Sequence, residues 1–195
     1  MNTIKNPVVF EQIINKSKFI TYLSPAPTEE EAKAYLESIK TKHFDATHNC
    51  YSYIIGSTAN IMKYHDDGEP TGTAGVVIYE VLRKNNLTNI IAIVTRYYGG
   101  IKLGAGGLIR AYSSATKYAV EAAIIEKIIT YIQIKLICDY QDLNNVEKRI
   151  ENYEILDKAF EEKITIKIKL PEDDFPSLEN DLIDITKNQI SIKAL

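Results

Sequence analysis

The stretch TRYYGGIKLGAGGLIRAY, Thr95–Tyr112, carries five of the nine glycines of a 195-residue chain. Ahead of it stands NIIAIVT, apolar almost throughout, as expected of a central strand covered on both faces. Behind it, LIRAYSSATKYAVEAA sets Leu108, Ala111, Tyr112, Ala115, Ala119 and Ala122 on one helical stripe. The glycines therefore join a buried strand to a long helix with a small-residue face.

Such a junction has two readings. Glycine permits tight corners and close backbone approach, so Gly99 and Gly100 can form a turn while Gly104, Gly106 and Gly107 let the helix start pack closely on the sheet. A helix start also offers unpaired N–H groups and a positive dipole end to an anion. Arg96, Lys102 and Arg110 would add charge there, for a free phosphate or one in an RNA backbone. The spacing matches neither GxxxxGK[ST] nor GxGxxG, so the motif itself names no nucleotide.

Working outward, the second glycine-bearing stretch is HDDGEPTGTAG, His65–Gly75. His65, Asp66, Asp67 and Glu69, with His48 further back, are candidates for acid–base work or a metal. Sequential acids and glycines also make ordinary turns, and an exposed turn capping the following helix is the reading we favour; no metal is expected. TAGVVIYEVLRKNN then reads as a buried helix, although its β-branched residues suit a strand equally well. Upstream, VVFEQII and KFITYLS read as paired strands turning at Asn15–Ser17, and EEEAKAYLESIKTKHF as a helix capped by Thr28. THNCYSYIIG and IMKYH read as two further strands. Tyr51, Tyr53, Tyr64, Tyr97, Tyr98 and Tyr112 surround the two glycine stretches. Their rings can stack on bases or half-bury on a pleated sheet.

From Leu108 to Leu195 there is no glycine. Residues 1–127 hold 14 Lys and Arg against 12 Asp and Glu, a net of plus two, and residues 128–195 hold 9 against 14, a net of minus five. We place a domain boundary there, giving domains 1–127 and 128–195. The second reads strand, helix, two strands, helix, strand, which is the βαββαβ order of a ferredoxin-like domain. The class is α+β.

The formal charge is −3, so the chain as a whole lacks the basic excess of a dedicated nucleic-acid binder, and any such contact must be local. Cys50 and Cys138 form no CxxC pair, and no serine lies in a GxSxG elbow. No secretory signal pattern and no long apolar run are present, so a cytoplasmic protein without a membrane span is expected.

KSKFI (Lys16–Ile20), HNCYSY (His48–Tyr53), DDGEPTGTAG (Asp66–Gly75) and VTRYYGGIKLGAGGLIRAY (Val94–Tyr112) together resemble the YigZ and Impact family. One departure is Val77, where members often carry proline. The resemblance implies that the first domain adopts the fold of the second domain of a small-subunit ribosomal protein, followed by a ferredoxin-like domain. It implies association with RNA, the ribosome or a ribosome-bound partner, and no assigned reaction; no cofactor is expected. The eukaryotic Impact protein restrains the starvation-response kinase acting on translation initiation, by competing for that kinase's activator on ribosomes. The expectation is a translation-associated binding protein using Arg96, Lys102, Gly104, Gly106, Gly107 and Arg110, with the acidic second domain turned away from phosphate. The rival is an enzyme acting on a small phosphorylated or acidic metabolite, with His48, His65, Asp66, Asp67 or Glu69 as acid or base.

Overall fold

The computed structural model describes all residues, Met1–Leu195, and divides into two compact units, Met1–Ile128 and Ile129–Leu195.

In the first unit, β2 (Val8–Ile14) and β3 (Ser17–Pro25) form a hairpin, turned at Asn15 and Lys16 in left-handed conformation. After α1 (Glu29–Lys42) come β4 (His48–Ile55), β5 (Ile61–His65), α2 (Gly75–Lys84), β6 (Ile90–Tyr97) and α3 (Gly104–Glu121). The five-stranded sheet has the order β2-β3-β6-β4-β5, antiparallel at every pairing. β6 lies at its centre because both its faces are apolar. Ala92 and Val94 pack with Phe19, Leu23, Cys50 and Ile54 under α2 and α3. Ile91 and Ile93 pack with Tyr22 and Tyr53 against Leu36 and Ile39 of α1. The alanine stripe of α3 lets that helix lie close over the sheet, with Ala111, Ala115 and Ala119 fully covered.

Thr28 caps α1 by accepting from the Glu31 N–H at 3.2 Å. That helix stops at Lys42, two residues before the end of the run that suggested it, because His43 leaves helical geometry at φ −119° and ψ 45° and its ring is held by the hydroxyls of Tyr22 and Tyr97. α2 is helical despite its valines. Ile78, Val81 and Leu82 recur at helical spacing, and Asp66 accepts from the N–H groups of Gly72, Ala74 and Gly75 at 2.8 to 3.1 Å. β1 (Asn2–Ile4) and β7 (Ile125–Lys127) form a small second sheet, tying the chain start to the segment after α3. Neither strand was expected, since a three-residue pairing across the whole unit has no local signature.

The second unit runs β8 (Tyr131–Cys138), α4 (Leu143–Ile150), β9 (Glu154–Phe160), β10 (Ile164–Pro171), α5 (Phe175–Ile185) and β11 (Ser191–Ala194). Its sheet order is β11-β8-β10-β9, antiparallel throughout. The isoleucines of β10 alternate strictly, so Ile164, Ile166 and Ile168 meet Val146, Ile150, Leu178 and Leu182 of the two helices on one face. The α+β class and the βαββαβ order are thus observed.

Candidate functional site

The loop from β6 to α3 explains its glycines singly. Gly99 has no room for a side chain, since a Cβ there would stand 2.0 Å from the Lys16 carbonyl carbon and oxygen. The close approach lets the Gly99 N–H donate to Ser17 Oγ at 3.2 Å. Gly104 opens α3 with φ +68°. α3 begins earlier than its alanine stripe suggested, so Gly104, Gly106 and Gly107 form its first turn. That turn does not press on the sheet: Gly104 and Gly106 are exposed, and a Cβ on Gly106 would meet nothing nearer than Arg110 Nη1 at 3.8 Å. No side chain caps the helix start, leaving its first N–H groups to solvent or an anion.

The two glycine-bearing stretches, far apart in sequence, line one cleft of about 390 Å³. Thr47, His48, Glu69 and Pro70 form one side, and Arg96, Tyr98, Lys102, Gly104 and Leu108 are among the residues of the other. Beneath it lies a buried polar network. Arg96 Nη1 donates to Glu69 Oε1 at 2.6 Å, and Tyr112 Oη donates to the same oxygen at 2.9 Å. Arg96 Nη2 reaches Ser17 Oγ at 3.4 Å, and the guanidinium lies over the Phe19 and Tyr98 rings at 5.4 and 5.5 Å. Cys50 Sγ lies 3.3 Å from Tyr112 Oη and 2.9 Å from the Asp66 carbonyl oxygen. Burial pushes both the Cys50 thiol and the Tyr112 phenol well above their ordinary ranges, so the thiol is an inert core group.

This geometry revises the charge reading. Arg96 is 95% buried in effect, at 5% exposure, and its charge is met inside the protein by Glu69. Lys102 is the exposed cation at the cleft. Arg110 and Gly107 lie instead in a second depression with Ile14 and Asn15. The HDDGEP segment is also no plain surface turn. Asp66 caps α2, Asp67 Oδ2 accepts from the Asn49 N–H at 2.6 Å, and Glu69 is buried at 7% exposure. These carboxylates diverge, and no group of three or more His, Cys, Asp or Glu is placed to hold a metal. His65 is exposed, its Nδ1 accepting from the Asp67 N–H at 3.0 Å.

His48 remains inside the cleft. Its Nδ1 is 2.8 Å from the Asp67 carbonyl oxygen, which can only accept, so the proton is on Nδ1. In the neutral ring Nε2 therefore bears the lone pair, 3.8 Å from Glu69 Oε1. Of the tyrosines near the glycines, Tyr51, Tyr53 and Tyr112 are core residues, while Tyr98 is 45% exposed at the cleft. Ser17, which lies within KSKFI, and Thr47 fix Gly99 and Tyr98 by hydrogen bonds, a partnership that no local sequence pattern specifies.

Residues 15–120 match the Impact N-terminal domain, which covers more than half of the chain. The chain belongs to the IMPACT family. Residues 136–189 match a domain of unknown function, DUF1949. IMPACT family member YvyE of Bacillus subtilis is 38% identical over 98% of this chain and 89% of its own length. An IMPACT family member of Haemophilus influenzae is 36% identical over 98% of this chain and 95% of its own. A crystal structure described as that of a hypothetical protein superposes with a TM-score of 0.67 at 30% identity, covering 100% of this chain and 96% of that one. No helix of this family member is long and apolar enough to cross a membrane.

Proposed function

We propose that this IMPACT-family chain is a cytoplasmic binding protein of the translation apparatus whose first unit holds a phosphate of RNA, on the ribosome or beside it. The observation that carries the reading is the convergence of Lys102, the uncapped start of α3 and the Tyr98 ring on one cleft. Helix-start N–H groups and the positive dipole end favour a phosphate. Lys102 adds a charge that no protein carboxylate neutralises, whereas Arg96 acts as a scaffold for Tyr98. A tyrosine face beside a phosphate site suits a splayed base of single-stranded RNA. Family membership supports the connection with translation that the resemblance to the eukaryotic Impact protein implies.

The test is binding to ribosomes and to single-stranded RNA across a salt series. On single-stranded RNA, Lys102→Ala should lower the slope of log K against log salt by about 0.7, and Arg110→Ala, outside the cleft, should leave it unchanged. Absence of salt-dependent binding, or equal slopes for the wild type and Lys102→Ala, rejects the reading.

One observation favours a second reading, an enzyme acting on a small phosphorylated or acidic metabolite: His48 lines the cleft with its Nε2 3.8 Å from buried Glu69. On that reading the start of α3 takes the anionic group and Nε2 takes a proton. It requires mononucleotides or sugar phosphates to bind in place of RNA, with turnover lost in His48→Ala.

A further inference from the structure

The second unit is acidic overall, yet its charges are sorted by face. The helices cover one side of its sheet, leaving the other side to the alternate residues of each strand. There Lys193 of β11, Lys135 of β8 and Lys167 of β10 are direct cross-strand partners in a single row. Neighbouring strands are about 5 Å apart, so three ammonium stems rise side by side. Like charges directly opposite one another destabilise a sheet. Lys167 is relieved by Asp157 of β9 at 3.0 Å, and Lys169 by Glu154 at 3.3 Å. Lys135 and Lys193 have no carboxylate partner in ion-pair range, even though acids outnumber bases in this unit. The same face presents Tyr131, 52% exposed, with Lys169 Nζ 5.1 Å from its ring centre. Gln133 is exposed between Tyr131 and Lys135 along β8.

We infer that this open sheet face, centred on Lys135 and Lys193 with Tyr131 at one end, binds single-stranded RNA. The two unpartnered lysines answer phosphates. The aromatic ring offers a stacking surface on the same strand, and the amide of Gln133 can donate to and accept from base edges. A flat sheet face accommodates an extended strand with splayed bases; a rigid duplex, recognised by its groove shape, finds no matching ridge here. Net charge misleads for this unit because most of its acids lie on the helices and loops, and the two on its strands, Glu154 and Asp157, are engaged by Lys169 and Lys167, which leaves Lys135 and Lys193 uncompensated. The inference is independent of the cleft in the first unit.

The test uses the full chain and a fluorescein-labelled single-stranded oligouridylate, followed by anisotropy over a salt series. Lys135→Ala and Lys193→Ala should each lower the slope of log K against log salt by about 0.7, and the double variant by about 1.4. Tyr131→Ala should weaken binding by roughly tenfold, with Tyr131→Phe retaining it. Lys148→Ala, on a helix of the same unit, removes the same charge from the opposite side and should change nothing. Unaltered urea midpoints for the lysine variants show that folding is intact. The inference is overturned if Lys148→Ala matches Lys135→Ala, if the double variant binds like the wild type, or if polyglutamate displaces the RNA at equal concentration. Loss of binding in the Lys135/Lys193 variant with none in Lys102→Ala rejects the first-unit reading alone, and the reverse pattern rejects this one alone.

Discussion

Two glycines seven residues apart face opposite constraints. At Gly99 a methyl group would collide with the main chain of Lys16 and Ser17, neither of which can yield without moving the β2–β3 turn. Gly99→Ala should therefore cost about 3 kcal/mol, read as a lower urea midpoint at unchanged slope. Gly106 has helical φ and open space, so Gly106→Ala should raise stability by up to about 1 kcal/mol through helix propensity. If the first turn of α3 receives a phosphate, the same alanine weakens RNA binding while stabilising the fold, separating the two roles of the turn. The Arg96–Glu69 pair obeys a third rule: with both groups nearly inaccessible, removing one strands the other. Glu69→Ala should destabilise by about 3–5 kcal/mol, and adding Arg96→Met should recover part of the loss. A double variant as unstable as the sum of the singles would contradict a direct pairing. From the sequence Arg96 reads as a charge for an anion and Glu69 as part of an exposed turn. Nothing local in DDGEP or VTRYY says that a carboxylate and a guanidinium, 27 positions apart, will meet under a cleft.

At the scale of elements, joints matter more than propensities. α1 ends where the His43 ring is held between two hydroxyls, Tyr22 Oη 2.6 Å from Nε2 and Tyr97 Oη 2.8 Å from Nδ1, with Tyr97 donating onward to Asp45 at 3.0 Å. Burial, reinforced by Lys42, holds the ring below its ordinary value of 6.5. The folded state thus binds fewer protons than the unfolded one just below that pH. Stability is fully present above about 6.5 and falls as the pH drops through 6.5 towards the lower folded value. Urea midpoints between pH 8 and pH 5 should show this decline, and His43→Gln should flatten it; equal slopes would remove His43 as the cause. The entry to α2 depends similarly on Asp66, which serves three N–H groups from outside the helix. Asp66→Ala should cost about 2 kcal/mol, above the usual loss for a single cap. The helix, strands and hairpin around these joints were legible because apolar spacing and the Thr28 cap are local signals. The setting of the first turn of α3 was not, because whether Gly104 and Gly106 press on the sheet or face open space depends on where the helix lies.

For the whole molecule, each unit has its own core: two apolar clusters on opposite faces of the first sheet, beneath α2 and α3 and beneath α1, and one in the second unit beneath α4 and α5. A cavity made in the second, Leu136→Ala, should lower the stability of that unit by about 2–5 kcal/mol, while amide exchange in β6 keeps its protection. Loss of protection in both would mean one cooperative fold. Charge is likewise a property to be read by face: a net of minus five describes the second unit's composition, whereas the sheet determines that its lysines stand in a row. By itself the sequence determined the α+β class, the βαββαβ order, the strand–glycine–helix junction and the family, since periodicity, turn chemistry and motif order are written along the chain. Only the tertiary structure decided that Arg96 is neutralised, that Arg110 lies outside the cleft and that His48 and Lys102 lie within it. Those facts follow from strand register and helix placement, which bring distant residues together through packing that no local window contains.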